Sequence, residues 1–356
     1  MLAYHDHRAD PAGWARELGI SQEAVDLYLD ADVIDLHVDS FIWTRIFGYD
    51  LAKRHDQGLF GGRFYSQVDF PRILEAQVSG ACWVITTNPG RPTPAGRAET
   101  FFGNLARLRA IFERQADQFQ LVTNAADYRA ARREGKHAAF IGVQGGNALD
   151  DDGALDRLDD SVLRITLVHL STSSLGVTSS PLKGGDDTGL TDRGRDFVRR
   201  LDEKKIFVDL AHISKRGFWD AVRVHDPSHP LIVTHTGISG VFDHWRNLDD
   251  DQLRAIADSG GTIGVMYQSS FLGDPLWTGR ASSIVDHLAH IVKTVGDDHA
   301  SLGSDWDGAI VTPRDMPTCL ELPRLVQLML DRGFSESTIR KILGQSFLRV
   351  VEQLRG

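Results

Sequence analysis

His37 and Asp39 stand two residues apart in Ile34-Asp35-Leu36-His37-Val38-Asp39, an imidazole and a carboxylate at the end of an apolar run. In an extended chain residues i and i+2 face the same way, so both side chains can reach one ion. His212 follows Val208-Asp209-Leu210-Ala211, His235 follows Ile232-Val233-Thr234, and Asp305 follows Leu302-Gly303-Ser304. Neutral imidazoles with carboxylates form the ligand set of zinc, although iron, manganese or cobalt accept it too. A carboxylate beside such an ion can take a proton from water and pass it to a leaving amine, which is the role expected of Asp305. His169, in Thr166-Leu167-Val168-His169, is a candidate for polarising a carbonyl or stabilising its oxyanion. Arg246, in His244-Trp245-Arg246-Asn247, is a candidate for pairing with a substrate carboxylate. Any one of these histidines alone reads as a structural residue; the set reads as a metallohydrolase site. His5, His7, His55, His137, His225, His229, His287, His290 and His299 fall in helices, loops or strand starts and receive no role.

The elements that must position this set form a repeating pattern. Short apolar, β-branched runs occur at 33–36, 81–85, 138–143, 162–168, 206–210, 231–233, 262–265 and 300–302. Several are continuous rather than alternating, as strands buried on both faces require. Helical-period segments at 191–205, 215–224, 249–259 and 283–295 lie between or after them. Eight strands alternating with helices in one chain predict a single (β/α)8 barrel of the TIM type, in the α/β class. The expected organisation is an N-terminal helical extension over 1–30 and a barrel over 31–356. An open doubly wound sheet is the alternative, but no early Gly-rich phosphate loop supports it. In the barrel reading His37, Asp39, Gln144, His169, His212, His235 and Asp305 all sort to the C-terminal side of their strands, where barrel enzymes keep their chemistry.

Composition narrows the field. A net charge of -10 argues against a nucleic-acid footprint and against a polybasic membrane surface. The two cysteines, Cys82 and Cys319, form no CxxC pair, so neither a disulfide framework nor a zinc knuckle is expected. The first residues carry early charges and no apolar secretory segment, and no run reaches the roughly 18 apolar residues of a membrane span. A cytoplasmic location is the expectation.

Further stretches carry a resemblance. Glu75-Ala76-Gln77-Val78-Ser79-Gly80-Ala81-Cys82-Trp83, Gly189-Leu190-Thr191-Asp192-Arg193-Gly194, Asp209-Leu210-Ala211-His212-Ile213-Ser214, Arg246-Asn247-Leu248-Asp249-Asp250 and Lys341-Ile342-Leu343-Gly344-Gln345-Ser346-Phe347-Leu348-Arg349 join the site residues. From about residue 31 to 353 the chain resembles the membrane (renal) dipeptidase family of the amidohydrolase superfamily. These are zinc-dependent barrel hydrolases that cut dipeptides and tolerate a D-residue on the C-terminal side. The resemblance implies His37 and Asp39 on one zinc, His212 and His235 on the other, substrate contacts from His169 and Arg246, and proton transfer by Asp305. It also implies a homodimer.

Gln144, in Gly142-Val143-Gln144-Gly145-Gly146, departs from that pattern, which has a glutamate bridging two metals here. A glutamine offers one neutral carbonyl oxygen and an NH2 that cannot ligate. Two divalent cations about 3.5–4 Å apart repel by at most roughly 15–20 kcal/mol at an effective dielectric of about 20, so losing a bridging charge favours one metal over two. Met266-Tyr267-Gln268 and Asn147 are smaller departures that alter the pocket. The expectation is therefore a metal-dependent dipeptidase, with Gln144 as a ligand or a substrate contact. Two alternatives stay open: a mononuclear hydrolase of another small amide or lactone, and a non-catalytic member that kept the barrel. The loops at 47–65 and 171–187 are expected to cover the site mouth and set side-chain preference.

Overall fold

The computed structural model describes residues 1–55, 61–86, 93–183 and 185–356. Among the described residues nine parallel strands run β1 (Ile34–Val38), β2 (Gly80–Thr86), β3 (Phe119–Leu121), β4 (His137–Gln144), β5 (Val162–Thr166), β6 (Phe207–Asp209), β7 (Ile232–Thr236), β8 (Thr262–Val265) and β9 (Ala300–Leu302). Eight of them close a ring in the order β1-β2-β4-β5-β6-β7-β8-β9, with β1 pairing β9 through Asp35 and Leu302. This is the (β/α)8 barrel predicted from the strand–helix alternation.

The ninth strand is β3, which the apolar pattern does not reveal. It pairs with His137, Ala138 and Ala139 of β4, whose other edge at Ala138 and Ala139 is taken by β2. It therefore occupies the start of the edge that β5 takes from Ile141 onward, outside the ring. Three residues are too few to give a readable period.

Helices follow the strands where their caps place them. Asp249 accepts from the Gln252 backbone while the Gln252 side chain accepts from Asp249 N, a capping box that starts the helix Asp250–Asp258. Thr191 and Ser214 cap the helices Asp192–Glu203 and Lys215–Val224 in the same sense, through their hydroxyls. Near the N-terminus two helices, Pro11–Leu18 and Gln22–Asp30, bury Trp14, Leu18, Val25 and Tyr28 in the same apolar core as the barrel's outer face. The Tyr28 hydroxyl donates to Ala76 O at 2.6 Å and fastens this region to the segment that leads into β2. No described helix is long and apolar enough to cross a membrane.

Candidate functional site

The strand ends deliver the predicted residues to one place. His37 is the fourth residue of β1 and Asp39 follows its end; Gln144 closes β4, and His235 is the fourth residue of β7. His169, His212 and Asp305 each stand three residues past β5, β6 and β9. Beyond the strands the β1 and β9 segments stay zipped: Asp305 N donates to His37 O at 3.1 Å and Asp39 N to Trp306 O at 2.8 Å. That pairing holds the two carboxylates beside one another. His212 (φ 65°) and Asp305 (φ 64°) adopt the left-handed backbone region, an unfavourable conformation for residues with a side chain and a common mark of functional positions.

Ligand atoms of His37, His235 and Asp305 all lie within 4.8 Å of one another. His212 Nε2 and His235 Nε2 are 2.8 Å apart, and Gln144 Nε2 is 3.1 Å from His212 Nε2. His37 Nε2 is 3.4 Å from Asp39 Oδ2 and 3.6 Å from Asp305 Oδ1. Asp39 Oδ1 also accepts a short hydrogen bond from the Thr86 hydroxyl.

Burial sets the electrostatics. It pushes the Asp305 carboxyl well above the usual range, reinforced by the neighbouring Asp39 charge and opposed by Arg246. Burial would raise Asp39 too, but hydrogen bonding and charge from His37, with Thr86, hold it below its ordinary value. His212 and His235 are driven well below the ordinary imidazole value, first by burial and then by surrounding cationic groups. Burial takes His169 down to about 4, so its ring is neutral at physiological pH.

A cavity of about 430 Å³ opens onto these groups, lined by Trp43, Gln144, His169, Trp245, Arg246, Phe271 and Asp305 among others. This is the size range of small-molecule sites. Arg246 is buried and its Nη2 donates to His235 O at 2.7 Å, while its Nε has no hydrogen-bond partner among the described residues. Gln144 Oε1 is likewise buried without a partner. Residues 56–60 and 184, within the loops expected over the mouth, lie outside the described residues.

The donor set fits a divalent cation. Imidazole nitrogens of His212 and His235 converge at a distance too close for two unshared lone pairs unless a proton or a cation lies between them, and carboxylates stand on the other side. Gln144 fits less well: its amide nitrogen faces the histidines, and only a half-turn of the amide presents the oxygen.

Two further groups support the site, and the second of them, Arg164, escapes the reading of motifs. Asp307 accepts from Gln67 N at 2.9 Å, from Val68 N at 3.3 Å and from the Ser40 hydroxyl, which ties the loop after β9 to the segment before residue 70. Arg164, on β5, is fully buried and pairs with Asp209 Oδ2 at 2.9 Å. Its signal in the sequence is a charged residue inside the apolar run 162–168, two positions before Thr166 and so on the same face.

Known proteins agree with this architecture. The family model for membrane dipeptidase (peptidase family M19) matches residues 21–355. A Klebsiella pneumoniae protein, described as uncharacterized and lying in the pqqA 5' region, is 30% identical over 273 residues, 73% of this chain and 98% of that protein. Dipeptidase tcpJ of Claviceps purpurea is 28% identical over 300 residues, covering 81% of this chain and 69% of its own length. The crystal structure of a metallo peptidase from Rhodobacter sphaeroides superposes with a TM-score of 0.79 at 24% identity, over 91% of this chain and 99% of that one. With its barrel, its strand-end cluster of histidines and carboxylates and a match over nearly the whole sequence, the chain belongs to the membrane dipeptidase family, peptidase family M19.

Proposed function

We propose that this protein hydrolyses dipeptides, including those with a D-residue on the C-terminal side, with zinc as its metal. The observation that carries the reading is the cavity in which an Arg246 Nε without a partner among the described residues, a neutral His169 and the Asp305 carboxyl group line one space. The Rhodobacter sphaeroides relative bound a phosphinate mimic of the dipeptide L-Ala-D-Ala, which supports the substrate class.

Each of these residues has a task in that reaction. The Arg246 guanidinium pairs with the substrate's terminal carboxylate and fixes which carbonyl reaches the ligand cluster. His169, neutral because it is buried, donates an N–H to that carbonyl oxygen as negative charge develops. His37, Asp39, His212 and His235, with Gln144 beside them, would hold the cation, whose Lewis acidity polarises a carbonyl and acidifies water when it is bound. Asp305 accepts the proton that water gives up as it attacks the carbonyl carbon. It then passes that proton to the amine nitrogen as the carbon–nitrogen bond breaks.

A panel of L,L and L,D dipeptides, assayed with added zinc and with a chelator, tests the reading. Zinc-dependent turnover is the expected result; no turnover across the panel would overturn it. A second reading, hydrolysis of another small amide or a lactone, draws on one observation: the unpartnered Gln144 Oε1 lines the cavity and could accept a hydrogen bond from such a substrate.

A further inference from the structure

The cavity differs in character from one side to the other. Arg246 belongs to the segment after β7, and in the ring of eight β2 stands directly opposite β7, between β1 and β4. With the substrate carboxylate on Arg246 and the scissile carbonyl at the ligand cluster, the acyl half of the substrate lies toward β2. On that side the cavity is lined by Ile42 and Trp43 after β1, Thr86 at the end of β2, Asn147 after β4 and Leu170 after β5.

A dipeptide brings an α-ammonium group there, and an ammonium taken out of water needs a carboxylate or several acceptors. Among the described residues every carboxylate that lines the cavity is already committed. Asp39 faces His37 and accepts from the Thr86 hydroxyl. Asp307 accepts at Oδ1 from Gln67 N, and at Oδ2 from Val68 N and the Ser40 hydroxyl. Asp305 handles the proton of the attacking water. Gln144 and Asn147 are neutral. The helix Phe41–Phe47, which supplies Ile42 and Trp43, has one charged residue, Arg45, close enough to interact with the Asp39 charge. The charge this helix adds is therefore positive.

Hydrocarbon is better served. The Trp43 indole N–H donates to Asp307 O at 2.8 Å, which fixes the ring, and Phe47 stacks on it with centroids 5.6 Å apart. Phe47 is 76% exposed and Leu170 61% exposed, so apolar surface continues from the cavity wall out over its rim. Exposed apolar residues scattered singly need no explanation, but a strip that runs on from a cavity marks a binding surface. A straight acyl chain can follow it further than an amino-acid side chain.

We infer that this site also hydrolyses N-acyl amino acids, amides of an amino acid with a medium-length fatty acid that carry no α-amino group, with the chain lying along Trp43, Phe47 and Leu170. The inference goes beyond the dipeptide reading but rests on its metal-assisted attack and on its Arg246 contact. One water is consumed. Its oxygen bonds to the acyl carbon, the carbon–nitrogen bond breaks, and its two protons end on the departing nitrogen, one of them through Asp305. A fatty carboxylate and an amino acid leave, and nothing is oxidised or reduced.

The test compares acetyl-, octanoyl- and L-2-aminooctanoyl-alanine, with alanine of each hand, on the zinc-loaded full chain. The last two differ only in the α-amino group. Octanoyl-alanine should exceed acetyl-alanine in kcat/KM by at least about 30-fold, because its further methylenes partly leave water. It should also reach at least about a third of the value of the aminooctanoyl dipeptide, or exceed it. Phe47→Ser and Leu170→Ser, both at exposed positions, should each cut the octanoyl-to-acetyl ratio by about threefold or more. Calorimetric titration of the metal-free chain gives a readout without turnover, in which octanoyl-alanine should bind at least about tenfold more tightly than acetyl-alanine. Dipeptide turnover with no octanoyl-alanine turnover, or with an octanoyl-to-acetyl ratio near one, overturns the inference and leaves the dipeptide reading standing. A ratio that neither variant moves overturns the placement of the chain. Octanoyl-alanine turnover without any dipeptide turnover supports the inference and overturns the dipeptide reading. No turnover of any of these amides overturns both.

Discussion

Strand β4 begins with His137 and ends with Gln144, and both side chains are buried, yet the two ends of the strand are built in contrary ways. At the floor of the barrel His137 Nδ1 faces Val78 O at 2.8 Å, and Nε2 accepts from the Trp83 indole N–H at 3.1 Å. Both ring nitrogens are used, and burial holds the ring neutral with a pKa pushed down to about 4. At the mouth, among the described residues, Gln144 Oε1 has no partner and its amide nitrogen meets His212. Buried polar groups that exhaust one another build structure; those left with unused capacity are kept for a ligand at some cost in stability. Residue type does not separate the two cases, since histidines occupy both ends.

The comparison breaks if the mouth proves structural. Asp305→Asn should lower kcat by about 10³-fold at saturating zinc, the scale of removing a general acid–base group. Its thermal midpoint without metal should not fall. Burial raises the Asp305 carboxyl pKa, so the ionised group costs stability near neutral pH and an amide avoids that cost. A variant that unfolds would place Asp305 among the structural groups. Arg246→Met comes next, with about a 100-fold rise in KM, equivalent to a charged hydrogen bond of about 2.7 kcal/mol. Comparing a dipeptide with its C-terminal amide checks the assignment. The wild type should prefer the free carboxylate, and the variant should lose that preference.

The same contrast explains what the sequence discloses. Buried parallel strands need continuous apolar runs, and inward-facing ligands need to lie at their ends, so the eight-stranded ring and the cluster of His37, His212, His235 and Asp305 can be read from spacing. Phe119–Leu121 is too short for a period and lies outside the ring, paired to the start of β4, which hides it. Arg164 is hidden for another reason. A lone arginine in an apolar run usually sends its charge to solvent, and its partner Asp209 lies 45 positions away. Tautomers and unpartnered atoms belong to the three-dimensional hydrogen-bond network, so no motif encodes them.

The floor can be tested by removing what it satisfies. His137→Leu leaves the Trp83 N–H and Val78 O unpaired and should cost about 2 kcal/mol in denaturant unfolding, with kcat/KM within about twofold of the wild type. A smaller effect follows from pH. His137 titrates near about 4 in the folded chain and near about 6.5 when unfolded, so between these values the unfolded state binds the extra proton. Stability from this histidine is complete above the unfolded pKa and declines as pH falls toward the folded one, by about 1 kcal/mol between about pH 6.5 and 5.5. His287, also held at about 4 by burial, adds a loss of the same sign, as do the depressed histidines at the mouth. Metal-free wild type and His137→Leu, unfolded across that range, isolate the share of His137 because every other group is common to both. The wild type should lose about 1 kcal/mol more than the variant, narrowing the gap between them. Parallel curves would mean that His137 already takes up its proton in the folded chain, and the floor would then hold a charge where the structure pairs a neutral ring.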